Sequence, residues 1–299
     1  LFSAFWQDEI ALAENRLSLT LGSKVEHNVY TSFEFEPSAR LAWTPTARST
    51  VWASLARAVG TPARLQRDAR VDISAFPGAG GSVSLLSLSG NSGFGSENLR
   101  AHELGYRFQP VRRISLDLAA FYNVYHHLKS SERLAPFYEP IPAPAHLVIP
   151  LTFTNRAETN SYGLELAPAW NVTEKWKLSA SYSWLRAPLE SAGTGDRDSP
   201  QHQAQFRSYL DLPWKLSFDT ALYYVSSLHP MAGSSGGPEI PAHTRLDARL
   251  GWKPGRDIDL SIVAQNLLDS RHVEFNTREG VVPGNQVRRS VYGKVTWRF

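Results

Sequence analysis

Along most of the chain, apolar and polar residues alternate with a period of two. Successive strand residues point to opposite faces, so this pattern predicts strands with one greasy side and one wet side. At the end of the chain Val291, Gly293, Val295, Trp297 and Phe299 fall on one side, and Ser290, Tyr292, Lys294, Thr296 and Arg298 on the other. The same rhythm runs through Trp176–Trp184, Trp214–Tyr224, Leu246–Trp252 and Ile258–Gln265. Weaker copies occupy Phe2–Ala11, Leu17–Lys24, Ser38–Trp43, Val51–Val59, Glu103–Phe108, Ile114–Tyr125, Tyr162–Trp170 and Ala204–Leu212. The pattern predicts about thirteen strands of roughly ten residues, the length a tilted strand needs to cross a bilayer. Strands of ordinary globular proteins are shorter, about five or six residues.

The connections alternate as well. Short ones fall at Glu14-Asn15, Thr44–Ser49, Gln109–Arg113, Asn171–Lys175, Leu212–Lys215 and Lys253–Asp257. Long ones are expected near residues 27–36, 60–97, 128–158, 187–202, 226–243 and 267–286. Short and long in turn is the layout of an outer-membrane barrel, with tight periplasmic turns and longer outer loops. On that orientation Trp43, Trp52, Trp170, Trp176, Trp214, Trp252 and Trp297 lie near periplasmic strand ends. Seven of the nine tryptophans on one rim predict an interfacial aromatic girdle.

The fold class expected is all-β: an antiparallel transmembrane β-barrel. Backbone groups cannot stay unpaired in hydrocarbon, so a membrane sheet must close on itself. The apolar set then faces lipid and the polar set coats the interior, whereas a soluble sandwich inverts that layout. An odd count near thirteen does not close a usual bacterial barrel. The chain also begins at Leu1, inside apparent strand sequence. These are expected to be the last strands of a barrel of about 22, the size class with a plugged lumen.

Composition narrows this further. Of 299 residues, 42% are hydrophobic and 20% charged, too apolar for a disordered tail. No run approaches the ~18 apolar residues of a membrane helix. No cysteine is present, which removes disulfide frameworks, thiolate metal sites and cysteine nucleophiles. A net charge of +3 gives no argument for a nucleic-acid partner.

Several segments resemble those of TonB-dependent outer-membrane receptors. Val51-Trp52-Ala53-Ser54-Leu55-Ala56-Arg57-Ala58-Val59-Gly60-Thr61-Pro62 is similar to the "WASYSRAFRTP" segment of that family. Phe5-Trp6-Gln7-Asp8-Glu9 followed by Leu19-Thr20-Leu21-Gly22 resembles an "F-x-Q-D-E … L-x-x-G-x-R" strand pair. Glu97-Asn98-Leu99-Arg100 through Gly105-Tyr106 is similar to "NPNLKPE…E-x-G". Ile240-Pro241-Ala242-His243-Thr244-Arg245-Leu246-Asp247 and Gln265-Asn266-Leu267-Leu268-Asp269 resemble "VPAYTRLD" and "QNLLD", and Phe299 fits an aromatic-ended barrel-assembly signal. The five segments fall in the family's order over nearly the whole chain, while the plug, the TonB-contacting box and the first strands have no counterpart in it.

The resemblance implies uptake of a scarce, large ligand across the outer membrane of a Gram-negative bacterium: a ferric siderophore, cobalamin, haem or an oligosaccharide. Energy would come from the TonB complex through the plug, and the barrel-assembly machinery, lipid and lipopolysaccharide would be further partners. No resident cofactor is implied. A haem receptor of the family would usually carry a His between its signature segments; none lies between Pro62 and Glu97, although His102 is near. The rival readings are a passive porin or structural barrel, and a soluble β-rich binding module.

Candidate chemistry follows from position. Arg64, Arg67, Arg70 and Phe94 lie in the longest outer loop, and Arg with aromatic side chains suits an anionic, ring-bearing ligand. Glu103, Arg107, Asp117, Glu165, Arg207, Asp247 and Arg249 alternate with apolar neighbours and are expected in the lumen, the acids pairing with arginines or with the plug. Tyr125, His126 and His127 sit at an outer rim, but successive strand residues face apart and would not share a metal. Asp269, Ser270 and His272 name a triad only by nearness in a turn, and a triad is a matter of geometry. No catalytic or metal site is expected. Gly78–Gly81 and Gly233–Gly237 lack the strand–helix context of a phosphate loop and read as flexible connections.

Overall fold

The structure, a computed structural model, describes residues 1–187, 199–228, 239–275 and 285–299. Gly233–Gly237 lie outside them. In chain order the elements are β1 (Phe2–Ala13), β2 (Leu17–Asn28), β3 (Ser32–Thr46), β4 (Ser49–Gly60), α1 (Arg64–Arg67), β5 (Arg70–Pro77), β6 (Val83–Ser89), β7 (Glu97–Val111), β8 (Ile114–Arg133), β9 (Phe137–Glu139), β10 (His146–Asn171), β11 (Trp176–Arg186), β12 (His202–Leu212), β13 (Leu216–Val225), β14 (His243–Trp252), β15 (Ile258–Gln265), β16 (Arg271–Phe275), β17 (Asn285–Arg288) and β18 (Ser290–Trp297).

Thirteen of these make one continuous antiparallel path, β1-β2-β3-β4-β7-β8-β10-β11-β12-β13-β14-β15-β18. The chain runs up and down, each strand pairing with the next wall strand. The barrel is not closed: β1 and β18 are the two free edges of the path. Both faces follow from register. Leu41 pairs with Ala53, Ala53 with Leu104 and Leu104 with Ala120, which builds a continuous apolar face. Arg40, Ser54, Glu103 and Ala119 occupy the other side of the same strands. The apolar face is bare: Leu104 is 56% exposed and Ile262 58%. Large side chains stay uncovered along the whole wall, the opposite of a soluble sandwich.

Several expectations about the connections are revised. The expected long segment at 27–36 is a tight turn, because Asn28 Oδ1 accepts from the backbone N–H groups of Tyr30 and Thr31, both at 2.9 Å. That side-chain mimic of a turn lets β2 and β3 run nearly to each other. β8 and β10 extend for 20 and 26 residues, well beyond a bilayer crossing of about ten. Residues 60–97 form α1 and a β5–β6 hairpin. Gly80 and Gly81, at φ +67° and +81°, turn that hairpin, so the Gly78–Gly81 run has a specific conformation.

Candidate functional site

Two regions collect polar chemistry: a cap of outer-loop segments, and the charged face of the wall. The cap is built on the first residues of β10. β6 pairs with them in parallel, His146 opposite Val83 through Thr152 opposite Ser89, and β9 pairs antiparallel at His146–Val148. Phe94, Val148, Phe153 and Ala157 are buried beneath, with Phe94 edge-on to Phe153 at 6.1 Å. Gly90 allows a close backbone approach here, since a Cβ there would stand 2.5 Å from the Arg67 carbonyl carbon. Asn91 Nδ2 donates to the Phe153 carbonyl (3.0 Å), and Asn155 Nδ2 to the Gly95 carbonyl (3.1 Å).

This packing changes the reading of the loop residues. Phe94 is 1% exposed and serves as a core residue, not as an aromatic surface offered to a ligand. Arg67 Nη1 donates to the carbonyls of Phe94 (2.8 Å) and Tyr30 (3.3 Å), and its guanidinium stacks on the Tyr30 ring. Arg70 grips Glu139 with two parallel bonds of 2.7 and 2.8 Å and donates to Ser87 Oγ at 2.8 Å. Those bonds hold the Glu139 carboxyl below the usual carboxylate range, against a smaller opposing effect of desolvation. Arg64 alone of the expected set stands exposed without such ties.

On the wall, the strand pairing puts Glu103, Arg107, Asp117, Glu165, Arg207, Asp247 and Arg249 on the side opposite the apolar face. Arg107 donates to Asp117 at 2.6 Å. Arg249 bridges Asp219 (3.1 Å) and Asp259 (3.2 Å). Asp247 pairs with Arg245 at 3.1 Å, and Glu103 accepts from Ser54 Oγ at 3.0 Å. Among the described residues Arg207 has no carboxylate within 4.0 Å; it reaches Tyr209 Oη at 3.5 Å and lies 6.0 Å from the Tyr223 ring centre. Arg245 covers the same Tyr223 ring at 4.5 Å. Arg207, Tyr223 and Arg245 thus form a cationic and aromatic patch on adjacent strands.

The tryptophans divide. Trp43, Trp170, Trp176, Trp252 and Trp297 project from the apolar face next to short turns, and Trp214 sits in a turn, 83% exposed. Trp52 is on the charged face, with the Arg40 guanidinium 4.7 Å above its ring and Gly105 directly beneath it. Parity explains this: Val51, Ala53 and Leu55 hold the apolar side of β4.

Other singled-out residues have local partners. His126 Nδ1 is 3.3 Å from Glu158, while His127 sits at φ +56° and its carbonyl accepts from Asn155. The two rings are 6.5 Å apart. Tyr125 Oη accepts from Ser161 Oγ at 3.5 Å, and His102 Nδ1 is 3.1 Å from the Tyr122 carbonyl. His272 Nε2 contacts Glu274 at 2.9 Å, and Ser270 Oγ makes no hydrogen bond to His272, so the named triad does not assemble. Phe299 is fully exposed at the chain end.

A model of the TonB-dependent receptor-like β-barrel matches residues 1–267. The chain belongs to the TonB-dependent receptor family. The catecholate siderophore receptor Fiu of Escherichia coli (strain UTI89) is 24% identical over 140 residues, covering 43% of this chain and 18% of that protein. The iron-regulated outer membrane virulence protein of Vibrio cholerae (strain O395) is 23% identical over 278 residues, 90% of this chain and 40% of that protein. A variant of the ferric enterobactin receptor PfeA from Pseudomonas aeruginosa, solved with enterobactin, superposes with a TM-score of 0.79. It is 20% identical and aligns with 99% of this chain and 45% of its own. The chain thus spans less than half the length of the relatives it matches.

In this receptor barrel the residues that sequence reasoning passed over are Tyr223, Arg245, His243 and Glu274. Parity could have placed Tyr223 and Arg245, directly paired on adjacent strands, on the charged face. Nothing in the sequence brings His243 to Glu274.

Proposed function

We propose that the chain forms wall and outer cap of an outer-membrane receptor that takes up an anionic ferric chelate of the siderophore class, energised through TonB. One observation carries the ligand class: the Arg207–Tyr223–Arg245 patch, in which Arg207 has no acidic partner among the described residues. A guanidinium against an aromatic ring favours an anion that also presents rings or planar oxygens. The capped loop end supports capture from outside, with Arg64 an exposed cation there. The charged face, with Glu103, Asp117 and Glu165, supports a lumen that faces a plug. The bare apolar face supports contact with lipid, with the tryptophans at the short turns marking the periplasmic interface. Strands beyond β1 and β18 would close the sheet, and Phe299 would serve barrel assembly.

The test is growth under iron limitation on a panel of ferric catecholates and carboxylates, with the full-length gene, its deletion and Arg207→Ala. The deletion is expected to lose growth on at least one chelate. Arg207→Ala is expected to weaken binding of that chelate by about tenfold, the value of one lost charged hydrogen bond. Equal growth of all strains on every chelate overturns the reading.

A further inference from the structure

We propose a divalent transition-metal site formed by His243, His272 and Glu274 at the loop end of the charged face. His243 opens β14 and shares its face with Arg245, Asp247 and Arg249. His272 and Glu274 lie two apart on β16, across a register shift between Val273 and Phe275, and their side chains meet. One ligand atom from each of the three residues fits within a 4.8 Å span. His272 Nε2 is 2.9 Å from Glu274 Oε1, and His243 Nε2 is 3.9 Å from the same oxygen. A tetrahedral ion at about 2.0–2.1 Å from each ligand needs donors about 3.3 Å apart, so both histidines must shift, His243 by at least about 0.6 Å toward the Glu274 oxygen.

The surroundings match such a site. The two imidazoles are stacked, 4.3 Å between centres and 19° between planes, so an ion bound by both must fan the rings apart until their in-plane lone pairs converge beside Glu274. His272 is 7% and His243 11% exposed, while Glu274 is 40% exposed and gives an ion its entry. Among the described residues the buried Nδ1 atoms of both histidines make no hydrogen bond. His272 Nε2 faces Glu274 at 2.9 Å, so ligation through Nε2 leaves Nδ1 as the ring nitrogen that carries the proton. Asp269 Oδ2 stands 3.8 Å from that nitrogen and, on closing by somewhat under about 1 Å, would accept its proton as the carboxylate behind a metal-bound histidine does. Arg245, 3.5 Å from Glu274, also has Asp247 at 3.1 Å and keeps a partner when Glu274 turns to the ion.

Two imidazoles and one carboxylate suit Zn2+ or Cu2+ and leave positions open for water. This ion would be held by the protein itself, unlike iron whose coordination a chelator fills. The site would clip the β16–β17 hairpin to β14. The inference does not rest on the uptake reading.

The probe is Zn2+ alone, titrated into the full-length chain folded in detergent, with Co2+ absorption and zinc-edge X-ray absorption as readouts. One ion with two-imidazole scattering and tetrahedral Co2+ bands is expected. His243→Ala and His272→Ala should each weaken binding more than about tenfold, as should Asp269→Asn, while His102→Ala changes nothing. Folding of each variant is checked by its heat-modifiable migration. A folded His243→Ala/His272→Ala double variant that binds Zn2+ as tightly as the unmodified protein overturns the proposal, as does absence of binding by the latter.

Discussion

The cap and the wall of this molecule solve opposite problems. The cap buries Phe94 at 1% exposure and closes Val148, Phe153 and Ala157 around it. The wall leaves Leu104 at 56% exposure in the middle of its best-paired strands. A cluster of apolar side chains excluded from water stabilises the first. The second gains nothing from water; its ladder satisfies the backbone, and its apolar side chains find their complement in lipid tails. One polypeptide thus carries a small water-type core on top of a sheet with no core at all.

The sharpest way to test that contrast is Phe94→Ala. It should cost about 3–5 kcal/mol, because a buried aromatic leaves a cavity when removed. Hydrogen exchange should speed up in β5, β6 and the first residues of β10, with β11 to β13 unchanged. Uniform acceleration over the wall would show that the cap has no separate core. Next in size is Leu104→Arg, expected to cost about 2–4 kcal/mol at mid-bilayer depth by refolding titration in lipid. No cost there would mean that the exposed face does not meet hydrocarbon.

The smallest effect concerns acid. Arg70 lowers the pKa of Glu139, so their pairing stabilises the cap fully above the ordinary glutamate value of about 4.3. That contribution disappears as pH falls through the lowered value. Protection of β5 and β9 should therefore decline below about pH 4, and Glu139→Gln should remove that pH step while leaving the wall unaffected.

The wall was readable because its period is simple. Each strand repeats apolar and polar residues by twos, and the thirteen predicted segments correspond to the thirteen strands of the path. Strand ends were less readable. Asn28 turns the chain with its side chain, a one-residue signal inside an apparent loop. Trp52 was assigned by its nearness to a turn, although the neighbours Val51 and Ala53 already set its parity. The cap was hidden because its pairing is non-local: nothing near Val83 reveals that it will lie beside His146. Sharing a long loop with Arg64, Arg67 and Arg70, Phe94 reads as a ligand contact, and only the approach of Phe153 makes it core. His243, His272 and Glu274 meet across two sheets, a coincidence that no spacing records.

The parallel pairing of β6 with β10 has a consequence for the order of folding. Its partners are about sixty residues apart in the chain, with the whole β7–β8 hairpin between them. Closing so wide a span costs entropy before any contact repays it. The β5–β6 segment must therefore wait, without its partner strand, until that hairpin is laid down and the arm of β10 arrives to receive it.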